Sequence, residues 1–211
     1  MEKTLKFDLH QHTTLSDGDM NPEIMFKFVE RYKESIFMTV TDHDTFLWHR
    51  KYKAYMTGIE ISCTAEINGC DTPIDLLLYG FSMNEMEKML EYRDYNYYPS
   101  VKEMSKLTKN QRKNGAKLFL AHPFYCRHFG VQIDGYLNAT IKYVDGIECF
   151  HNSASIMQVM YLLQVCNDNK KFGSGGSDNH SCTLGKTPYL NLLGEHKNLF
   201  SWIHDMNGAG Y

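Results

Sequence analysis

The feature that most constrains this chain is a series of short apolar or β-branched runs that alternate with segments of helical periodicity. Seven such runs occur in the 211 residues: LKFDL, IFMTVT, GIEISCT, IDLLLYG, AKLFLA, VDGIECF and FGSGGS. Alternation of this kind is typical of βα units that build a largely parallel sheet. We therefore predict an α/β fold in which seven strands and their crossovers form a closed or nearly closed barrel.

Helix signals lie between these runs. Asn21 is a suitable N-cap and Pro22 a suitable first helical residue, which predicts the first crossover helix. A long helical region over about 84–114 is divided by Pro99, because an interior proline removes a backbone hydrogen bond. Further helices are predicted over 155–169 and, at the end of the chain, over 199–206. The length favours a single domain over residues 1–211.

Nearly every apolar run contains, or leads directly into, a histidine or a carboxylate. These residues are His10, His12, Asp42, His43, Asp44, Glu60, Asp75, His122, Glu148, His151, Asp178 and His180. In a parallel barrel the carboxyl ends of the strands converge on one face, where active sites are built. We therefore expect side chains that are distant in sequence to meet at that face.

Two pairs within this set have the spacing of a metal site. Residues i and i+2 of an extended chain point the same way, which pairs His10 with His12 and Asp178 with His180. Imidazole nitrogen together with carboxylate oxygen suits Zn, Mn or Fe, whereas a site for Mg alone would be richer in oxygen. A borderline transition metal is the expectation.

Six segments of the chain resemble, in order, the motifs of the PHP (polymerase and histidinol phosphatase) superfamily. They are DLHQHTTLSDG, TDHDT, GIEIS, AHP, GIECFHN and GSDNH, and they extend from Asp8 to His180. The resemblance implies a distorted (β/α)7 TIM-like barrel with two or three divalent ions that hydrolyses phosphate esters. A single HxH pair is weak support for the resemblance, but six motifs in the same order are strong support.

The resemblance also implies which residues hold the ions. It assigns one ion to His10, His12, Glu60 and Asp178. Glu60 would bridge to a second ion that is also bound by His122, and a third ion would lie between Asp17, His43 and His180. Asp75 stands where many members of the superfamily carry a histidine. We include it as a ligand, and its carboxylate oxygen would shift the metal preference of the site toward harder ions.

The implied reaction is hydrolysis of a phosphate ester by metal-activated hydroxide. Arg127 and Lys186 are candidates for phosphate contact, since cationic donors pair with phosphoryl oxygens. His151 and Asn152 are candidates to orient the substrate or to protonate the leaving alcohol. For the carboxylates nearby, Glu148 is either an acid adjacent to the ligands or an ion-pair partner of Arg127, and Asp44 is expected to cap a helix.

Composition narrows the function further. The formal charge of -3 arises from 22 basic and 25 acidic residues without a long single-sign block, so nucleic acid is unsupported as a partner, although not excluded. Six cysteines without a CxxC pair, and an N-terminus without signal-peptide features, predict reduced thiols in the cytoplasm. No apolar run reaches the roughly 20 residues of a membrane span.

We therefore expect a small phosphorylated metabolite or nucleotide as the substrate. Two alternatives remain open: a phosphodiesterase or nuclease that acts on oligonucleotides or cyclic nucleotides, and a non-catalytic PHP scaffold that only binds metal. His49 lies outside the motifs, and for this residue we expect a position on the surface.

Overall fold

The computed structural model describes residues 5–53, 56–91, 98–125, 132–182, 189–190 and 197–203. Strands and helices alternate along most of this part of the chain, as the sequence predicts. In chain order the elements are β1 (Leu5–Asp8), α1 (Pro22–Tyr32), β2 (Phe37–Met38), α2 (Leu47–Tyr52), β3 (Gly58–Ile67), β4 (Cys70–Tyr79), α3 (Met83–Glu91), α4 (Val101–Leu107), α5 (Lys109–Lys113), β5 (Lys117–Leu120), α6 (Ile133–Thr140), β6 (Gly146–His151), α7 (Ile156–Asp168), β7 (Phe172–Gly176), β8 (Tyr189–Leu190) and a terminal 3₁₀ turn (Lys197–Phe200).

The strands form two sheets. One has the order β2-β1-β8 and the other the order β3-β4-β5-β6-β7. Pairing is parallel for β1 with β2, β5 with β6, and β6 with β7, and antiparallel for β1 with β8, β3 with β4, and β4 with β5. The α/β class is confirmed, but a closed and largely parallel barrel is not.

Backbone contacts outside the regular strand pairs join the two sheets at two seams. At one seam the Leu9 amide donates to the Gly175 carbonyl at 3.1 Å. At the other, His43 forms an isolated parallel bridge with Glu60, and the Asp44 amide donates to the Glu60 carbonyl at 2.8 Å. The first seam lies just after β1 and the second after β2. The motif histidines lie in these same two segments of the chain.

The main departure from the expected topology is the β3–β4 hairpin. The sequence predicts these two strands as parts of separate βα units. In the structure only Asn68 and Gly69 connect them. Both residues have positive φ, 54° and 79°, as a type I′ turn requires, and Asn-Gly is the dipeptide that most favours this turn. The hairpin pairs residue for residue from Gly58 with Tyr79 to Ile67 with Cys70.

The helix ends follow the sequence signals. The Asn21 side chain accepts hydrogen bonds from the backbone amides of Glu23 and Ile24, which starts α1. Pro99 lies outside a helix, between α3 and α4, and Ser100 and Glu103 form a capping box that starts α4. A second capping box at Ser155 starts α7, close to the predicted boundary.

The larger hydrophobic core lies among β3–β7, α7 and the 3₁₀ turn. Trp202 anchors it, because its indole nitrogen donates to the Gly173 carbonyl at 2.8 Å and its ring stacks on Tyr79. A smaller cluster around Trp48 packs α1 and α2 against β2. Among the residues that the structure describes, no helix has the length and apolar character needed to cross a bilayer.

The expected surface position of His49 is wrong. This side chain is 1% exposed, and its Nε2 atom lies 2.8 Å from the Val40 carbonyl oxygen and 3.0 Å from the Gly58 amide nitrogen. Burial lowers the pKa of His49 from 6.5 to about 4. His49 therefore joins the end of β2 to the start of β3 as a neutral imidazole.

This burial predicts a specific dependence of stability on pH. Between pH 6.5 and about 4 the unfolded chain binds a proton at His49 that the folded chain does not, so stability falls as the pH falls through this range. The shift corresponds to about 3 kcal/mol at most. His49→Gln removes this titration, so the difference in unfolding free energy between wild type and variant should narrow from pH 7 to pH 4.5 in urea denaturation with EDTA. A difference that stays constant would contradict the assignment.

Candidate metal centre

The structure brings together all nine residues that the sequence analysis proposes as ligands. Most lie at strand exits, and the other two lie in the hairpin, Glu60 on β3 and Asp75 on β4. Three overlapping groups have potential ligand atoms within 4.8 Å of one another. We name them the central cluster (His10, His12, Glu60, Asp178), the outer cluster (His12, Asp17, His43, His180) and the hairpin cluster (His43, Glu60, Asp75).

Glu60 is the point on which the imidazoles converge. Its carboxylate is fully buried, and Oε2 lies 2.9 Å from His10 Nε2, 3.1 Å from His12 Nε2 and 3.3 Å from His43 Nε2. The other oxygen, Oε1, lies 2.9 Å from His122 Nε2. The two oxygens thus face different histidines, which is the arrangement of a carboxylate that bridges two cations.

The central cluster contains the four residues expected to share one ion. Asp178 Oδ1 lies 3.3 Å from His10 Nε2 and 3.2 Å from His12 Nε2, and that oxygen is buried. Two imidazole nitrogens and two carboxylate oxygens that converge in this way form a suitable tetrahedral donor set.

The outer cluster contains the three residues expected around a third ion, with His12 added. His180 Nε2 lies 3.3 Å from Asp17 Oδ1, and His43 Nε2 lies 3.7 Å from Asp17 Oδ2. The Nδ1 atom of His12 has no hydrogen-bond partner and lies 3.6 Å from Asp17 Oδ1. His12 therefore turns one nitrogen to each of these two clusters.

The hairpin cluster differs from the expected second group. That group combines Glu60 with His122, and Asp75 is proposed as a ligand without an assigned ion, whereas the structure places Asp75 with Glu60 and His43. His122 reaches the second oxygen of Glu60. Asp75 is therefore within reach of an ion at Glu60.

Glu148 holds His10 in position from behind. Its Oε1 accepts from His10 Nδ1 at 3.0 Å, and its Oε2 accepts from the His122 backbone amide at 2.8 Å. Because Nδ1 donates to Glu148, Nε2 is the His10 nitrogen that faces Glu60 and Asp178, and a metal would displace its proton. This contact places Glu148 adjacent to the candidate ligands, and its alternative partner, Arg127, lies outside the described residues.

Asp42 supports the loop that carries Asp17, and the sequence analysis missed this role. Its carboxylate accepts from the Thr13 amide at 2.6 Å, from the Thr13 hydroxyl at 2.8 Å and from the Ser16 hydroxyl at 2.9 Å. Asp44 does not cap a helix: it accepts from the Ser62 amide at 3.1 Å, and α2 begins without a side-chain cap. The TDHD segment thus braces the loop and the hairpin on either side of His43.

Backbone conformation directs two ligands inward. His122 and Asp178 have φ of 22° and 48°, a region that residues other than glycine seldom adopt and that is found at functional sites. Glycine permits the close approach of β7, because a Cβ atom on Gly176 would lie 2.2 Å from His10 Cβ. The GSGGS run therefore lets Asp178 reach the histidines of β1.

The electrostatics suit a cation. Burial disfavours the charged forms of both His10 and Glu60. The negative charges of Glu60 and Glu148 nevertheless hold the pKa of His10 well above its usual range. His10 and the hydrogen bonds of three histidines overcome burial to hold the pKa of Glu60 well below its usual range. Hydrogen bonding to Glu60 raises the pKa of His122 to about 9 against the effect of burial. A metal ion would compete with protons for these imidazole nitrogens.

Of the two residues proposed for catalysis, one is described. His151 Nδ1 accepts from the Ser153 amide at 3.2 Å, so Nε2 carries the proton and faces Asp178 Oδ2 at 3.2 Å. His151 is thus a positioning residue for Asp178, and its role as a proton donor stays a prediction. Arg127 and Lys186 lie outside the described residues.

A cavity of 610 Å³ opens beside the clusters. Asp17, His43, Asp75 and His122 line the part of the cavity next to the clusters. The remaining lining residues are Ser16, Ser62, Cys63, Thr64, Pro73, Ile74 and Tyr98. The volume is in the range of small-molecule sites. Sequence reasoning gives no signal for Cys63, Thr64, Pro73 or Ile74, which carry no motif.

Comparison with known proteins shows similarity at the level of the fold. No protein-family model and no curated protein sequence matches the chain. A Bifidobacterium adolescentis protein described as a candidate metal-dependent phosphoesterase is similar over 98% of this chain and 97% of its own, with a TM-score of 0.70 and 17% identity. An amidohydrolase from Chromobacterium violaceum, with bound sulfate and no metal, is similar over 89% and 92%, with a TM-score of 0.70 and 13% identity.

A two-domain Bacteroides vulgatus protein, with a region predicted to be a PHP-like metal-dependent phosphoesterase, shows a lower TM-score of 0.48. It covers 85% of this chain and 53% of its own, at 19% identity. The first two likenesses confirm the resemblance at the level of the fold. At these identities they do not transfer a reaction to this chain.

The contact behind His10 yields a prediction. Glu148→Gln keeps the size of the side chain but weakens the hold on His10 Nδ1, so Zn²⁺ affinity should fall by about 10- to 100-fold. Isothermal titration of EDTA-treated protein measures it, and Glu23→Gln, on the exposed face of α1, is the control. Unchanged affinity in a folded Glu148→Gln variant would contradict the positioning role.

Proposed function

We propose that this protein is a PHP-type metal-dependent phosphoesterase that hydrolyses the ester of a small phosphorylated metabolite or nucleotide. The observation that carries the proposal is the buried Glu60 carboxylate, whose two oxygens face separate sets of histidines. We infer two or three divalent ions of the Zn, Mn or Fe class, with the nine clustered residues as ligands. The barrel implied by the resemblance is also part of the proposal.

The donor chemistry fits such ions. His10 donates to Glu148 through Nδ1, so its Nε2 atom faces Glu60 and Asp178, and the buried Asp178 Oδ1 is approached by the imidazoles of His10 and His12. When bound, divalent ions supply the positive charge that lowers the pKa of water and neutralises phosphoryl oxygens. Glu60 sets the separation of the two ligand sets that flank it.

The residues around the ligands would organise the substrate. The cavity beside Asp75 and His122 would receive the leaving group, while Asp17 and His43 stand at the border between cavity and clusters. His151 would hold Asp178 in position through its Nε2 proton. The cavity favours a small substrate over a long polymer, because its volume of 610 Å³ is in the range of small-molecule sites.

The proposal predicts metal-dependent hydrolysis with a defined order of substrates. EDTA should abolish activity, and Mn²⁺ or Zn²⁺ should restore it. The restored enzyme should hydrolyse p-nitrophenyl phosphate faster than bis-p-nitrophenyl phosphate, and a short oligonucleotide slowest. Glu60→Gln should lower kcat/KM by more than about 100-fold, because loss of residues that merely support ligands already costs 10- to 100-fold.

Glu66→Gln is the matched control, since Glu66 lies exposed on the same strand as Glu60. Faster cleavage of the diester or the oligonucleotide would favour the phosphodiesterase alternative. A fully metallated sample that hydrolyses none of the three substrates would refute the enzyme proposal and leave the scaffold alternative.

A further inference from the structure

The three clusters offer different donor atoms. The outer cluster offers three imidazoles and one carboxylate, and the central cluster offers two of each. The hairpin cluster offers one imidazole and two carboxylates. The proportion of oxygen donors therefore rises from the outer cluster to the hairpin cluster.

Strand register explains why two carboxylates meet at the hairpin cluster. Asp75 pairs directly with Ser62 across the hairpin, and Glu60 pairs with Leu77. Directly paired residues of antiparallel strands point to the same face, as do residues two apart on one strand. Glu60 and Asp75 are thus diagonal neighbours on one face, and their oxygens approach within 4.8 Å.

The hairpin cluster also differs in its access to solvent. Glu60 is fully buried, but His43 and Asp75 are partly exposed and line the 610 Å³ cavity. An ion there would have more room for water ligands than one in the central cluster, where three of the four residues are buried. Carboxylates completed by water in an open coordination sphere suit Mn²⁺ and Mg²⁺, whereas imidazole-rich tetrahedral sets suit Zn²⁺.

We propose that Asp75 makes the hairpin cluster selective for a harder ion of the Mn²⁺ class, so that the centre holds two kinds of metal. The inference rests on the proposed function, because it assumes that the clusters bind ions. Zn²⁺ generally binds N and O sites more tightly than Mn²⁺, so the selectivity is a difference between clusters rather than an absolute preference.

Metal content measures this selectivity without reference to activity. EDTA-treated protein is dialysed against a large molar excess of Mn²⁺ over Zn²⁺, and the bound metals are counted by inductively coupled plasma mass spectrometry. The wild type should retain both metals. Asp75→His exchanges an oxygen donor for an imidazole, so its Mn²⁺ content should fall by about tenfold or more while its Zn²⁺ content is kept or rises.

Two further variants complete the design. Asp71→His places the same change at an exposed position of β4, four residues from Asp75, and should retain the wild-type metals. Asp75→Asn keeps an oxygen donor but removes its charge, so it should lose part of the Mn²⁺ and keep the Zn²⁺. If circular dichroism shows that Asp75→His does not fold, the metal content of Asp75→Asn alone tests the selectivity of the hairpin cluster.

The outcomes separate this inference from the proposed function. A wild type that takes up only Zn²⁺, or a folded Asp75→His or Asp75→Asn with the wild-type ratio of metals, would overturn the selectivity while phosphoesterase activity persists. Protein that binds neither metal and hydrolyses no phosphoester would overturn both.

Discussion

The structure depends on one carboxylate that is removed from water. Burial of an ionised carboxylate is strongly unfavourable unless charge or hydrogen bonds compensate for it. Glu60 is compensated by imidazoles on both of its oxygens, from His10, His12 and His43 on one side and His122 on the other. These four histidines come from three different strand exits, so the ends of β1, β2 and β5 must converge on β3.

The rest of the fold serves this convergence. Asp42 braces the loop that carries Asp17, and Glu148 fixes the ring of His10. Glycines in β7 let that strand approach β1 closely enough for Asp178 to reach the same point. The Asn68–Gly69 turn aligns the hairpin so that Asp75 shares the face of Glu60. Each of these features positions a candidate metal ligand without being a candidate ligand itself.

The sequence predicts which side chains meet better than it predicts the topology. Histidines and carboxylates at strand exits form ordered motifs, and the structure gathers all nine proposed ligands. The hairpin was missed because two apolar runs were read as separate βα units, although Asn-Gly between them favours a turn. The burial of His49 could not be read from its flanking residues, because its partners are backbone groups of Val40 and Gly58. Hydrogen bonds from side chains to distant backbone groups, and cavity-lining residues such as Pro73 and Ile74, leave no pattern in one sequence.

The shared fold does not decide the reaction, because one similar structure is described as a candidate phosphoesterase and another as an amidohydrolase. The central claim is that Glu60 bridges two ions. Anomalous diffraction from crystals soaked in Mn²⁺ and Zn²⁺ tests it most directly. The account predicts one peak beside Glu60 Oε2 among His10, His12 and Asp178, and another beside Oε1 near His122. Peaks that leave either oxygen without an ion would contradict it.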